Sequence, residues 1–357
     1  MAFLQSSRFD TAVIGDGIIG LSAALELARA GASCALFGAD EPGAGSGAAA
    51  GILAPSIGQR DSEIRDFFRY SLNLFPAFLA PLREFDPELE ILEGLLETMP
   101  SRPAALDADS HWLSDAEVRQ TEPAIDAPNG AVLHTHDGAI DSTRVVAALR
   151  LAVSRNPRIS VVAGEGVARV DVSTVPARVT ARAGTSVHAS SLILAAGAWS
   201  SQIGGLPRRV PISPLKGQII AFDAPNLIHR PVSAGHVYLV PRGRELVVGA
   251  TSEDAGFDTT ATDDGERALC AAATQVCPSL ANARVARRWA GLRPATSDML
   301  PILGEDPESP SLIYACGHSR NGILLAPATA VAVRAFVEHA PPVHRAIGRF
   351  SIERFEK

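Results

Sequence analysis

A strand, a glycine-rich turn, a helix and a second strand follow one another near the amino terminus. The first strand is a short run of small and β-branched residues at 10–14, and the second is the apolar run at 33–37. Between them, apolar residues recur at helical spacing from Ile18 to Ala30, and Gly31 is well suited to end the helix. Two strands joined by a helix in this way predict a parallel βαβ unit with a right-handed connection.

The three glycines of the turn, in the order Gly-Asp-Gly-Ile-Ile-Gly, fit a dinucleotide-binding fingerprint. Gly15 permits the tight turn, Gly17 lets the backbone approach a pyrophosphate, and Gly20 lets helix and strand pack closely. Because the helix begins at Ile18 and Ile19, its free amides and positive dipole end would face the phosphates. A glycine-rich turn that binds no ligand is the alternative, but the position between a strand and a helix favours dinucleotide binding.

The end of the second strand departs from this fingerprint. An acidic residue is expected there, about 20 residues after the glycines, to bind ribose hydroxyls. The sequence has Gly38 at that position, which carries no carboxylate. Asp40 lies two residues later and would point to the same side if the strand continued, so Asp40 is the candidate ribose ligand.

A run of small residues follows at 43–51. A flexible linker is one interpretation of such a run. The other is a loop whose backbone lies against a ligand, where larger side chains would collide with that ligand. We favour the second, because a linker inside a unit built around a βαβ sheet would be unusual.

The rest of the chain alternates between helical and strand patterns. Helices are predicted at 61–84, at 141–152, at 262–276 and at 323–339, and after the capping box Ser114-x-x-Glu117. Strands are predicted through 158–196, at 209–222, at 236–250 with a hairpin around Gly243, and at 312–316.

Composition excludes several classes of protein. The 357 residues are enough for about two domains, and a net charge of −7 argues against a nucleic-acid binder. Four cysteines without a Cys-x-x-Cys pair do not form a disulfide scaffold, and His134 and His136 lack a third ligand for a metal. The sequence shows no apolar run of membrane-spanning length and no secretory signal, so we expect a cytoplasmic protein.

Several segments, taken in order, resemble the D-amino-acid oxidase family of FAD-dependent amine oxidases. Within that family they are most similar to the glycine oxidases associated with thiamine biosynthesis. Besides the amino-terminal fingerprint, the segments are 49–52, 195–200, 214–218, 289–296 and 317–327.

The resemblance implies an α/β protein with non-covalently bound FAD and two domains. The first would be a Rossmann-like FAD-binding domain of the glutathione-reductase type, built from residues 1–85, 140–208 and 286–357. The second would be an α+β substrate domain with a mainly antiparallel sheet, built from residues 86–139 and 209–285. A homo-oligomer is also possible.

The resemblance also implies which residues contact FAD. Val167 resembles the position whose backbone faces adenine, although an ordinary strand valine would look the same. The last helix would direct the amides of its first turn toward the negative charge of the reduced ring. Besides the fingerprint glycines, the implied contacts are Ser46, Ala49, Ala50, Gly51, Val167, Ala196, Gly197, Trp199, Gly217, Gln218, His318, Arg320, Asn321, Gly322, Ile323 and Leu324.

Five residues are candidates for substrate binding. Arg293 lies between a turn and an apolar run, where a guanidinium could hold a carboxylate through two hydrogen bonds or form a structural salt bridge. Strand alternation puts His236 and Tyr238 on one face, and the phenol could donate to the same carboxylate or lie at the rim of the sheet. Arg320 and Ile52 resemble positions near the substrate, with turn stabilisation and core packing as their alternatives.

Together with these residues, the resemblance implies the oxidative deamination of a small amino acid, namely glycine, sarcosine or a small D-amino acid. Hydride would pass to N5 of the flavin, and the products would be a 2-oxo acid, ammonia and H₂O₂. The alternative is an FAD-dependent dehydrogenase, or a flavin-binding subunit of a larger complex, that passes electrons to an acceptor other than O₂.

Overall fold

A computed structural model describes residues 8–59 and 61–356. The helices are α1 (Ile18–Arg29), α2 (Gly45–Ala48), α3 (Ser62–Leu79), α4 (Asp115–Thr121), α5 (Ser142–Arg155), α6 (Asp263–Val276) and α7 (Gly322–Val337). The strands are β1 (Arg8–Ile14), β2 (Cys34–Phe37), β3 (Ile52–Leu53), β4 (Leu92–Thr98), β5 (Ser110–Leu113), β6 (Ala131–Ala139), β7 (Ile159–Val162), β8 (Val167–Asp171), β9 (Ala177–Ala181), β10 (Ser186–Leu194), β11 (Ser213–Asp223), β12 (Val232–Ala234), β13 (Val237–Arg242), β14 (Glu245–Gly249), β15 (Val285–Ala295), β16 (Ile302–Glu305) and β17 (Leu312–Cys316).

The first sheet contains the predicted βαβ unit. Its strand order is β16-β17-β10-β1-β2-β7, with β8 and β9 attached through β10. Strand β1 is parallel to both neighbours, so that Ile14 pairs with Phe37 on one side and with Leu194 on the other. Helices α1, α3, α5 and α7 share one apolar core with residues of this sheet. The mixed α/β fold expected from the sequence is therefore confirmed.

Helix α1 is central to this layer. Its apolar residues, such as Leu21 and Leu27, are almost completely buried, and each contributes roughly 1.5–3 kcal/mol by leaving water. Gly20 is the point of closest approach, because a Cβ there would lie 1.8 Å from the carbonyl oxygen of Gly15. Only glycine lets the helix start so close to the preceding turn.

The second sheet is largely antiparallel, with the order β15-β11-β14-β13-β12-β4-β6-β3 and with β5 paired to β6. Alternation in β13 sorts its side chains. Val237 and Leu239 pack with α6 in one core, whereas Tyr238 and Val240 belong to a cluster on the opposite face. That opposite face turns toward the cavity described below.

Two strands of the second sheet bear on the predicted domain boundaries. Strands β3 and β15 pair within the second sheet, although their residues lie in ranges assigned to the FAD-binding domain or at its boundary. The division of the chain into two domains at those residues stays a prediction.

Most helix ends agree with the sequence to within a few residues, and one differs. Asp61 caps α3 by accepting hydrogen bonds from the amides of Glu63 and Ile64. The helix ends at Leu79 rather than at 84. Proline at position 81 explains the difference, because it has no backbone N–H to continue the helical hydrogen bonds. Residues Leu82–Glu84 then form a separate 3₁₀ turn.

Candidate active site

A cavity of about 590 Å³ lies between the two sheets. It is bordered by the glycine turn before α1, the small-residue loop, the start of α7 and the inward faces of β11, β13 and β15. Its walls expose more apolar than polar surface, as is usual for cofactor sites with a few oriented polar groups.

At the glycine turn, the first backbone amides of α1 face this cavity. Gly17 is the N-cap residue and has no side chain to cap them. The Ile18 amide donates to Ser46 Oγ at 3.0 Å, and Ser46 also lines the cavity. Gly15 has a φ of +115°, and a Cβ there would lie 2.3 Å from the carbonyl oxygen of Ala195. Glycine is thus required for the turn that opens this end of the cavity.

The small-residue loop is held by its carbonyl groups. Trp289 Nε1 donates to the oxygen of Ala48 at 3.0 Å. Arg242 Nη2 donates to the oxygens of Ala49 at 3.1 Å and Ala50 at 2.8 Å. Both donors come from the second sheet, so this sheet fixes the backbone of a loop whose small residues line the cavity. The geometry is that of a structured loop and not of a flexible linker.

The structure does not bring Asp40 to the cavity. Strand β2 ends at Phe37, and Asp40 adopts a φ of +48° and is exposed, because the chain turns away before it. The cavity wall near this strand end contains instead Asp16, Glu41 and Arg182, which the sequence analysis did not single out. Glu41 and Arg182 form an ion pair.

Gln218 and Leu324 also lie outside the cavity lining. Strand alternation explains the position of Gln218, because its neighbours Gly217 and Ile219 face the cavity. The side-chain amide of Gln218 points to the other face, where its Nε2 donates to Glu253 and Thr262. Leu324 is buried in the core of the first layer.

Helix α7 starts within one residue of the predicted position, and its first residues line the cavity. Asn321, its N-cap residue, makes no side-chain capping hydrogen bond, and Asn321, Gly322 and Ile323 line the cavity. His318 precedes them and is buried, with Nε2 2.9 Å from the hydroxyl of Thr329. Burial lowers the pKa of His318 to about 3, so the imidazole is neutral at physiological pH.

Arg293 and Tyr238 meet at one wall of the cavity. Arg293 Nη1 donates to the carbonyl oxygen of Thr251 at 3.0 Å. Gly217 makes room for the guanidinium, since a Cβ there would lie 2.4 Å from Nη2. Gly249 makes room for the phenol in the same way, at 2.5 Å from the Tyr238 hydroxyl. Burial lowers the pKa of Arg293 and raises the pKa of Tyr238, and the guanidinium partly opposes the latter shift.

Arg320 faces the same cavity. It lies beside Gly58, and its positive charge adds to the lowering of the Arg293 pKa. Across residues 8–59 and 61–356, no carboxylate lies within 4.0 Å of either guanidinium, whereas most other arginines are paired. Two cations without a counter-charge make this wall suited to an anion.

Most of the predicted site residues therefore line one cavity. Their individual roles in binding a cofactor or substrate stay predictions. Those that line it are Gly15, Gly17, Ile18, Ile19, Ser46, Ala49, Ala50, Gly51, Ile52, Val167, Ala196, Gly197, Trp199, Gly217, His236, Tyr238, Arg293, His318, Arg320, Asn321, Gly322 and Ile323. Gly20 stands behind the turn, where it serves the packing described above.

His134 and His136 lie on β6 in the second sheet. Strand β6 pairs with β3, β4 and β5, so it is an interior strand. His134 Nδ1 lies 2.9 Å from the hydroxyl of Ser110, and Nε2 lies 3.0 Å from Glu97. In the described part of the chain, no group of three potential ligands is arranged to hold a metal ion.

Comparison with known proteins identifies the family. Residues 10–335 match the DAO family, described as FAD dependent oxidoreductase. The chain belongs to this family. FAD is accordingly its cofactor, and the chain is an FAD-dependent oxidoreductase.

Three relatives illustrate the likeness. Glycine oxidase from Geobacillus kaustophilus is 32% identical over 94% of this chain and 94% of its own length. A solved structure of glycine oxidase from that organism superposes with a TM-score of 0.89 and 28% identity, covering 98% of this chain and 99% of the other. The bifunctional protein ThiO/ThiG from Trichormus variabilis is 31% identical over 98% of this chain. Hydrogen cyanide synthase subunit HcnC from Pseudomonas aeruginosa is 31% identical over 76% of this chain and 65% of its own length.

This chain spans only 55% of the length of the ThiO/ThiG protein.

The residues of the cavity fit the family's cofactor. The volume lies in the usual range for cofactor sites, the start of α1, whose N-cap residue Gly17 has no side chain, suits a pyrophosphate, and the Ala48–Gly51 loop leaves space for a flat ring. None of the helices in the described ranges combines the length and the apolar character needed to cross a membrane.

Proposed function

We propose that this FAD-dependent oxidoreductase catalyses the oxidative deamination of a small amino acid, with glycine as the first candidate. One observation carries the proposal: Arg293 and Arg320 face one cavity with no carboxylate within 4.0 Å among the described residues, and Tyr238 lies beside Arg293. An amino acid supplies the missing negative charge through its carboxylate. The identity to glycine oxidase supports a small substrate.

In this proposal, the protein's residues act by binding and orientation. Arg293, held in place by the carbonyl of Thr251, binds the substrate carboxylate, and the Tyr238 hydroxyl donates to it. Fixing the carboxylate restricts the orientations open to the amine-bearing carbon, which is how positioning lowers a barrier. Bound FAD supplies the two-electron acceptor that the side chains lack. The resulting imine is hydrolysed to a 2-oxo acid and ammonia.

Non-covalent binding of FAD is part of the proposal. Cys316 lines the cavity, but burial raises the pKa of its thiol to about 12. Since the thiolate is the reactive form, this cysteine is a poor candidate for a covalent tether. Denaturation with acid should release all flavin into the supernatant. Flavin that stays on the precipitated protein would contradict this part.

The main test is an anaerobic titration of the purified, FAD-loaded protein with glycine, sarcosine, D-alanine and D-proline. We expect at least one of them to bleach the oxidised flavin spectrum. In air, the same compound should produce one H₂O₂ per 2-oxo acid. If none of these compounds or other amines bleaches the flavin, the proposal is wrong.

The likeness to a hydrogen cyanide synthase subunit favours a second candidate, a dehydrogenase or flavin-binding subunit that passes electrons to another acceptor. Reduction of an artificial dye much faster than of O₂ by the glycine-reduced protein would support it. A role in thiamine biosynthesis is likewise a proposal, based on the match to ThiO/ThiG. Thiamine-independent growth of a strain lacking this protein would contradict that role.

A further inference from the structure

The end of β2 lacks the acidic residue that the dinucleotide fingerprint expects, and another side chain occupies that space. A Cβ at Gly38 would lie 2.7 Å from Cγ of Asp16 and 2.9 Å from its Oδ2. These distances are too short for any side chain at position 38 while Asp16 keeps its position. The carboxylate of Asp16 therefore stands where an acidic side chain at the strand end would begin.

Asp16 reaches the end of β2 from the glycine turn that follows the neighbouring strand β1. It is the residue between Gly15 and Gly17 of the turn, and it lines the cavity. Its side chain is 26% exposed, and Arg150 Nη2 donates to Oδ2 at 3.1 Å. No other hydrogen bond to this carboxylate occurs among residues 8–59 and 61–356, so Oδ1 can accept from a ligand.

The other nearby acids are less well placed. Asp40 is exposed and outside the cavity lining. Glu41 also lines the cavity and, like Asp16, has one carboxylate oxygen paired with an arginine, in its case Arg182. Glu41 comes four residues after Phe37, the last residue of β2, whereas the carboxylate of Asp16 stands against Gly38 at the strand end itself.

We propose that Asp16 binds the ribose hydroxyls of the adenosine half of FAD, in place of the missing acid at position 38. The inference rests on FAD as the cofactor. A carboxylate accepts hydrogen bonds from the two neighbouring hydroxyls of a ribose, and charge-assisted bonds of this kind are among the stronger ones. The carboxylate comes from the turn instead of from the strand, and glycine at 38 is the condition that makes this possible.

The test measures the dissociation constant of FAD from the apoprotein by flavin fluorescence. Asp16→Asn keeps the side-chain volume and removes the charge, and we expect it to weaken FAD binding roughly tenfold or more. Asp40→Asn, the matched control at an exposed aspartate, should bind FAD like the wild type. The melting temperatures of the apoproteins should agree, which separates a loss of affinity from a loss of fold.

A second measurement uses FAD whose adenosine ribose lacks the 2′-hydroxyl. The wild type should bind this analogue several-fold more weakly than FAD, and Asp16→Asn should distinguish the two by less. The double variant Asp16→Ala/Gly38→Glu, which moves the acid to the strand end, should recover much of the affinity lost in Asp16→Ala. If Asp16→Asn folds poorly, recovery of FAD binding in the double variant still tests whether an acid at this place binds the ribose.

Two results would overturn the proposal. One is an Asp16→Asn protein with wild-type affinity for FAD and undiminished discrimination against the analogue. The other is loss of that discrimination in Glu41→Gln and not in Asp16→Asn, which would assign the ribose to Glu41. A wild-type apoprotein that binds no FAD at all would instead overturn the cofactor assignment.

Discussion

Arg293 and Arg320 project toward the same cavity, and the charge of Arg320 makes protonated Arg293 less favourable. A bound carboxylate would relieve this repulsion. We therefore expect Arg293→Ala to raise the KM for glycine by one to two orders of magnitude, corresponding to about 1.5–3 kcal/mol for a charge-assisted hydrogen bond. Steady-state kinetics of the FAD-loaded variant would measure this, with flavin content as a second readout.

Arg288→Ala is a suitable control for this variant. Arg288 lies on the same strand but pairs with Asp263 and Glu266, away from the cavity lining. Its KM should match that of the wild type. An Arg293→Ala protein with unchanged KM would show that the substrate carboxylate binds elsewhere.

Gly249 and Tyr238 depend on each other through close packing. A methyl group at 249 would meet the phenol oxygen at 2.5 Å, so Gly249→Ala should displace the hydroxyl from Arg293. We expect KM to rise several-fold, to about the level of Tyr238→Phe, since one hydrogen bond contributes roughly 0.5–1.5 kcal/mol. Kinetics of both single variants and of the double variant would measure this.

If the two changes act on the same hydroxyl, the double variant should be no worse than either single one. Gly348→Ala, where an added methyl group meets no atom within 4 Å, is the control and should leave KM unchanged. Additive increases in the double variant would mean that Gly249 acts on something other than Tyr238.

Arg242 fixes the small-residue loop and does not touch the predicted substrate wall. In Arg242→Met, the carbonyl oxygen of Ala50 loses its donor, at a cost of about 1–3 kcal/mol, whereas that of Ala49 keeps the hydrogen bond from the Ser142 hydroxyl. We expect weaker FAD retention and a lower melting temperature, measured from the flavin-to-protein ratio after gel filtration and from thermal unfolding. Arg244→Met, on the exposed turn of the same hairpin, should behave like the wild type. Full flavin occupancy in Arg242→Met would contradict this role.

The sequence was informative wherever structure depends on neighbouring residues. The βαβ unit follows from local apolar spacing and from three glycines, and the capping box at Ser114 appears in the structure as its two residues predict. Most cavity residues were located through a family resemblance carried by short segments. Such short segments predict positions in the fold because each one forms a turn or a strand by itself.

Asp40 and Gln218 were expected at the cavity and lie outside its lining, because their positions depend on where a strand ends and on its register. Asp40 was placed by assuming that the strand continues, but the strand ends at Phe37. Gln218 lies within a motif whose neighbours face the cavity, and only its strand register shows that it points away. The contact of Asp16 with Gly38 joins two loops 22 positions apart, and no local pattern predicts it.

Asp137 provides a test by pH. It is buried, it accepts hydrogen bonds from the amide and hydroxyl of Ser56, and burial raises its pKa to about 6. Because this pKa lies above that of the unfolded chain, the stabilising protonated form is present at low pH and is lost as pH rises through about 6. The free energy of unfolding of the wild type should thus fall, relative to Asp137→Asn, by up to about 3 kcal/mol between about pH 4 and pH 7.

Denaturant unfolding of both proteins at several pH values would measure this difference. Asp254→Asn, at an exposed aspartate, should run parallel to the wild type at every pH. A constant difference between wild type and Asp137→Asn would show that Asp137 has an ordinary pKa.

The grip of Trp289 and Arg242 on the Ala48–Ala50 carbonyls has a consequence for how such an enzyme can change. The sheet that bears Arg293 and Tyr238 also fixes a loop that lines the cavity in which we expect the coenzyme to bind. A hybrid that takes this sheet from a relative, to acquire a different amine specificity, must therefore inherit matching partners for the loop. Without these partners, we expect the hybrid protein to bind its flavin weakly.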